Sequence, residues 1–232
     1  MLREIVLDTE TTGTDPAGDR IVEIGCVELL NYIPTGRTFH VYVNPQRPMS
    51  QGAFEVHGLS DSFLADKPVF AAVAPEFVEF VRDARLVIHN AAFDLGFLNA
   101  ELGRCGHPTF EPSRAACTLS LARRKHPGAA NSLDALCSRY GIDNSRRTKH
   151  GALLDAEILA EVYIELIGGR QADLGLAVSR GTARPGNGAI MVPARPRTAP
   201  PPRLTDAERQ AHLAFVATLG SGALWRDYLK ET

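Results

Sequence analysis

The chain has 232 residues, 44% of them hydrophobic, and a formal net charge of −2 at pH 7. This suits a soluble domain with one substantial core and argues against a protein that coats long nucleic acid, which would carry a basic stripe. No apolar run is long enough to cross a bilayer and a strand begins within a few residues of Met1, so a cytoplasmic protein without a signal peptide is expected. Cys26, Cys105, Cys117 and Cys137 lack paired metal-ligand spacing and read as reduced core thiols.

The apolar run Ile5-Val6-Leu7 marks a buried strand over residues 3–8, ending at Asp8-Thr9-Glu10. A strand's period of two puts the carboxylates of Asp8 and Glu10 on one face, where they can share a ligand. Strands over 20–29 and 37–43 follow, joined by turn-rich connections at 13–19 and 31–36, which predicts an antiparallel three-strand meander. A helix over 69–82 leads to a short strand at 85–88. Asn90 is positioned to cap the next helix, 91–103, with Asp94 in its first turn. Helices near 115–125, 131–140 and 152–167 complete a mixed α/β sheet flanked by helices, and Asp155 lies near the start of the last.

Two carboxylates at a strand end would alone be read as solvated turn formers. Four converging carboxylates would instead repel one another, raising their pKa values unless divalent cations neutralise them, and all-oxygen ligation suits Mg²⁺ or Mn²⁺. Two such ions about 3.5 to 4 Å apart would activate a water and steady the leaving oxygen of a phosphodiester. His150 and Asp155 are about 140° apart on a regular helix, so His150 is expected on the preceding loop, with Gly151 giving that loop room to turn. There it can take a proton from the attacking water. Arg123-Arg124-Lys125-His126 ends one predicted helix, while Arg146-Arg147-Thr148-Lys149 leads into His150 and is assigned to phosphate contact.

From residue 170 to 203 the composition shifts: six of the chain's 15 prolines lie there, with scattered Gly and Arg and a single acidic residue. Such a stretch cannot offset the entropy of ordering and reads as a flexible linker. Thr205-Asp206-Ala207-Glu208 then has capping-box form, opening a helix to Leu219 before Gly220 and Gly222 and the run Leu224-Trp225-Arg226. Fewer than 30 residues cannot bury a core alone, so the chain is expected to end in a docking segment.

The three acidic motifs, Asp8-Thr9-Glu10, His89-Asn90-Ala91-Ala92-Phe93-Asp94 and His150-Gly151-Ala152-Leu153-Leu154-Asp155, resemble in order and spacing the proofreading family of 3′–5′ exonucleases with three Asp, one Glu and a His. The likeness runs through nearly all of residues 3–168, including Val56-His57-Gly58, 131–137 and 142–145; a sister branch carries Tyr where this chain has His150. The resemblance implies a ribonuclease-H-like fold, two divalent cations (Mg²⁺ or Mn²⁺) on Asp8, Glu10, Asp94 and Asp155, and His150 as general base. It further implies contacts from Thr12, Gly13 and His57 to the terminal nucleotide, where Thr9, Asn90 and Phe93 are also assigned, although Asn90 as a helix cap and Phe93 as core packing are sufficient explanations by themselves. The implied organisation is an exonuclease domain at 1–169, a linker at 170–203 with a weak sliding-clamp-binding peptide from Gln171 to Leu176, and a segment at 204–232 that docks on a polymerase catalytic subunit. The expected activity is removal of 3′-terminal, mismatched nucleotides from DNA. An RNA 3′-end trimmer, or a scaffold that has lost catalysis, is the alternative; the docking tail argues against the first and the intact catalytic positions against the second.

Overall fold

The computed structural model describes residues 2–147, 149–168 and 205–219. Strands β1 (Arg3–Thr11), β2 (Ile21–Leu30) and β3 (Ile33–Tyr42) form the antiparallel meander, β4 (Arg85–Ile88) pairs parallel with β1, and β5 (Ala115–Cys117) pairs parallel with β4. The sheet order is β3-β2-β1-β4-β5, so β1 is central. Helices α1 (Gln51–His57), α2 (Asp61–Leu64) and α3 (Phe70–Val81) lie between β3 and β4, and α4 (Ala91–Arg104) between β4 and β5. After β5 come α5 (Thr118–Lys125), α6 (Leu133–Tyr140) and α7 (Ala152–Leu166).

The continuous apolar run in β1 has a direct cause, because both faces of the strand are covered. Ile5 and Leu7 belong to a core with Phe77 of α3 and Phe97 and Leu98 of α4, whereas Val6 packs with Ala156, Leu159 and Tyr163 of α7. The alternation carries on past the core. Asp8 and Glu10 continue the face of Val6, toward α7, and Thr9 continues the face of Leu7, toward α4.

One backbone contact sets how closely α7 approaches that face. Gly25 of β2 is the register partner of Asp8, and a Cβ built on it would lie 2.2 Å from the carbonyl carbon of Ala152 and from the nitrogen of Leu153. The first turn of α7 rests against the β2 backbone there, which no residue but glycine allows.

Several expectations are corrected. β1 extends to Thr11, so Asp8 and Glu10 lie within the strand instead of ending it. The β2–β3 connection is not 31–36 but the two residues Asn31 and Tyr32, at φ 49° and 67°, the positive-φ pair that matches a hairpin's twist. β5 replaces the start of the helix expected from 115, and α1 and α2 are additions, capped by the side chains of Ser50 and Ser60. Cys26 and Cys137 are buried thiols, but Cys105 and Cys117 are only half-buried.

Helix α8 (Asp206–Thr218) opens on the expected capping box, with Thr205 and Glu208 bonding each other's backbone N–H. The linker at 170–203, its Gln171 to Leu176 peptide and the run around Trp225 lie outside the described residues. Among the described residues no helix is long and apolar enough to cross a membrane.

The Gly25 contact gives a stability test. Gly25→Ala should lower the free energy of unfolding by about 1 to 3 kcal/mol or more through overpacking against backbone. Gly103→Ala, in exposed helix with nothing within 4 Å of the added Cβ, should raise it by about 0.5 to 1 kcal/mol. Urea denaturation of both variants checks the pair; an unaffected Gly25→Ala protein would mean that α7 does not rest on β2.

Candidate active site

The site opens at the carboxyl ends of β1 and β4, where three chain segments arrive from different directions. After β4 the chain turns sharply at Asn90, which adopts φ 65° and ψ 51°, a left-handed conformation that asparagine tolerates better than most residues. The turn starts α4 at once and puts Asp94 in its first turn. Its Oδ1 accepts hydrogen bonds from the Thr9 backbone N–H (3.1 Å) and the Thr9 hydroxyl (2.7 Å). Asp155 arrives from the other face in the first turn of α7, and its carboxylate lies next to Glu10 and His150, with ligand atoms of the three within 4.8 Å of one another. His150 sits on the loop before α7, half-exposed, with Nδ1 3.4 Å from Oδ2 of Asp155. A cleft of about 550 Å³ lies over these groups, with Val56, His57 and Phe93 among its walls.

The carboxylates are held at a cost. Burial pushes Asp8 well above the ordinary range, and the charges of Asp94, Glu10 and Asp155 push it further. Burial also raises Glu10, with Glu23, Asp155 and Asp94 adding to it, to about 8. Asp94 is raised to about 7 by burial, which its bonds from Thr9 only partly offset. Asp155 goes the other way: burial opposes its charge, but hydrogen bonds from His150 and Arg147 hold it below the usual carboxylate value. Glu10 Oε1 is also buried without a hydrogen-bond partner among the described residues. Clustered carboxylates of raised pKa, one with an orphaned oxygen, are what a hard divalent cation would satisfy, so the donor set fits such an ion.

The sequence-predicted residues divide in their placement. Asp8, Glu10, Asp94, Asp155 and His150 come together, and Gly13, His57 and Phe93 line the cleft. His57 is buried; the Leu59 N–H donates to its Nδ1, so Nε2 carries the proton and donates to the Thr11 carbonyl at 3.3 Å. Thr9 reaches the cleft, yet its hydroxyl is committed to Asp94. Thr12 is fully buried, its hydroxyl bonded to Asp19 Oδ1 and accepting from the Arg20 N–H, so its side chain builds the turn after β1. Asn90 occupies the N-cap position but makes no side-chain cap bond; its contribution is the backbone turn. Gly151 has φ −160°, extended backbone that any residue adopts, so the loop does not draw on glycine's freedom there.

The basic cluster before His150 does not wait for phosphate. Arg147 turns inward to Asp155 and Asp134, Arg146 lies 3.7 Å from Glu157, and Lys149 lies over the Phe54 ring. In the earlier cluster Lys125 donates to the carbonyls of Glu165 and Leu166 at the end of α7. Arg147 and the Thr9–Asp94 bond are the site features sequence reasoning missed. The nearness of Arg147 to His150 in the chain was the available signal.

Raised carboxylate pKa values make the cation-free domain sensitive to pH. Folded Glu10 and Asp94 keep their protons up to about 8 and about 7, whereas the unfolded chain has lost them near the ordinary 4.5 and 3.8. The folded state binds more protons across that window, so its stability falls as pH rises through it. Melting temperatures with chelator and with Mg²⁺ should therefore diverge from about pH 5 to about pH 8, and Glu10→Gln should narrow the gap. A gap independent of pH would contradict the clustered charge.

Comparison with known proteins bears on the same residues. Residues 5–163 match a family model described as Exonuclease. The DNA polymerase III subunit epsilon of Rickettsia felis is 55% identical over 175 residues, 74% of this chain and 76% of that protein. The protein of the same name from Escherichia coli is 48% identical over 238 aligned residues, 97% of each. Exonuclease X, solved in complex with 5′ overhanging duplex DNA, has a TM-score of 0.55 and 29% identity, covering 72% of this chain and 92% of that one. E. coli exonuclease I with single-stranded DNA, at 20% identity, shares the fold at a TM-score of 0.63, covering 74% of this chain and 41% of that one. The matched residues contain all of the sheet but Arg3 and Glu4 and every acidic group around the cleft, and the chain belongs to the exonuclease family, among the epsilon subunits of DNA polymerase III, as a 3′–5′ exonuclease.

Proposed function

We propose that the chain proofreads for a replicative polymerase, releasing nucleoside 5′-monophosphates from the 3′ end of single-stranded or frayed DNA. The convergence of Asp8, Glu10, Asp94 and Asp155 beside His150, the first three lining one cleft, carries the reading. Two divalent cations, Mg²⁺ or Mn²⁺, held by the four carboxylates would supply electrophilic activation of the attacked phosphate and ease ionisation of water. The protein's own residues do the rest. Thr9 fixes the direction of Asp94, and His150 takes a proton from the attacking water, its imidazolium then steadied by the nearby Asp155. Val56 and Phe93 offer apolar walls for the terminal base, with His57, neutral because burial lowers its pKa, between them and the Thr11 backbone. DNA as substrate is supported by the DNA complex of exonuclease X.

The organisation follows the same reading: a nuclease at 1–169, a linker at 170–203, and a segment at 204–232 that docks on the catalytic subunit of DNA polymerase III. Gln171 to Leu176 would add a weak sliding-clamp contact that gains through tethering. A protein that works on replicating bacterial DNA would act in the cytoplasm, which is the location we propose.

Turnover tests the chemistry. Asp8→Ala or Asp155→Ala should abolish cleavage in a folded protein, and His150→Ala should slow it by roughly 10² to 10⁴. A 3′-mismatched primer should be cut faster than a matched one. Near-normal cleavage by Asp8→Ala would refute the site, and preference for an RNA 3′ end would indicate RNA trimming instead.

Binding tests the tail. A chain ending after Gly169 should keep hydrolysis and lose the polymerase catalytic subunit, Trp225→Ala should weaken that binding by roughly 2 kcal/mol, and Gln171→Ala should weaken only the clamp contact. Calorimetry with each partner measures all three; full affinity in the truncated chain would remove the docking segment.

A further inference from the structure

Arg147 has a side chain only 8% exposed, and it reaches Asp155, His150 and Asp134, in the site or at its margin. Nε and Nη2 donate to the two oxygens of Asp155 at 2.5 and 2.8 Å. Nη2 also lies 2.9 Å from Nδ1 of His150, and Nη1 donates to Oδ1 of Asp134 at 2.8 Å. The planar fork of arginine is what lets one side chain hold a carboxylate at two points and still reach two more groups. Both oxygens of Asp155 thereby accept from Arg147, although one of them lies within 4.8 Å of the ligand atoms of Glu10 and His150. A divalent cation drawn to those groups would meet a fixed positive charge at short range, in a partly buried setting where repulsion is poorly screened.

Asp134 makes the arrangement more than a local ion pair. It lies in the first turn of α6, is 59% exposed, and also accepts from Nδ2 of Asn144 at 3.0 Å, so it belongs to the rim and not to the cluster of buried carboxylates. An arginine that leaves Asp155 keeps a partner there and need not enter solvent as an unpaired charge.

We propose that Arg147 is a positioning residue that acts as an internal counter-ion: it holds Asp155 and His150 while the site lacks a divalent cation, and releases both when one binds, staying anchored on Asp134. The proposal rests on the reading of the carboxylates as a cation site. It assigns the arginine to cation exchange within the protein, not to the nucleic-acid backbone. A purely structural arginine, pinning the loop before α7 to α6, would behave differently, because it would keep its bonds to Asp155 whatever the cation.

The test uses the full chain without DNA. The Nε–Hε resonance of ¹⁵N-labelled Arg147, assigned by its loss in Arg147→Lys, should be protected from solvent exchange in chelator and lose that protection as Mg²⁺ is added, with the midpoint of Mg²⁺ binding. In parallel, electron paramagnetic resonance of Mn²⁺ should show Arg147→Met binding the ion about tenfold more tightly than the wild type, the effect of removing a charge-assisted competitor. A resonance unchanged at saturating Mg²⁺ would overturn the proposal, as would a folded Arg147→Met protein with equal or weaker Mn²⁺ affinity. If Arg147→Met does not fold, the wild-type titration decides alone. A wild-type protein that binds no Mn²⁺ would overturn the cation site and this proposal together, whereas Mn²⁺ binding with an unmoved Arg147 would overturn this proposal only.

Discussion

The closeness of two backbones governs the site. Asp8 and Asp155 belong to elements more than a hundred residues apart in sequence, and they meet because the first turn of α7 rests on β2 at Gly25, beside the register partner Asp8. With an ordinary side chain at that position α7 would have to stand off from the sheet, and Asp155 would move away from Asp8 with it. A hydrolytic site that must hold reacting groups to fractions of an ångström cannot tolerate that displacement. The position of least chemical character in the region therefore sets the geometry for the clustered carboxylates.

The core makes this closeness affordable. Like charges brought into a shared, poorly hydrated space oppose folding, and here the opposition is visible in the raised pKa values of Asp8, Glu10 and Asp94. Apolar layers on both faces of β1 supply the opposing drive: Ile5 and Leu7 on one side and Val6 on the other are fully buried. The strand is clamped before it reaches Asp8, so its end cannot relax away from the charges it carries. Apolar burial is concentrated in the first half of β1 and buried charge in the second.

Much of this was legible in the chain. Ile5-Val6-Leu7 gave a buried strand, its period put Asp8 and Glu10 on one face, and the α7 helix phase put His150 on the preceding loop, all of which the geometry bears out. What escaped was short or tertiary. β5 has three residues and α2 four, too few for any periodicity to register. The turn at Asn31 and Tyr32 was hidden because tyrosine is an unusual residue at positive φ, and Gly36, the better turn signal, lies inside β3. Arg147 was misdirected for a different reason. Where a long cationic side chain points depends on which carboxylate the fold brings near it, and Asp134 comes from another helix.

The bond from the Thr9 N–H to Asp94 has a consequence for how long β4 can be. The parallel ladder between β1 and β4 runs from Glu4↔Arg85 to Val6↔Val87, and β4 ends at Ile88. Three more pairs of the same ladder would bring Asn90 opposite Thr9 and give that N–H a backbone partner, evicting the carboxylate. The left-handed turn at Asn90 forbids the extension. The four-residue strand is thus a ruler: it stops pairing at the point where the sheet must leave one donor free, and a more regular sheet, with better hydrogen bonding by every local measure, would be a poorer enzyme.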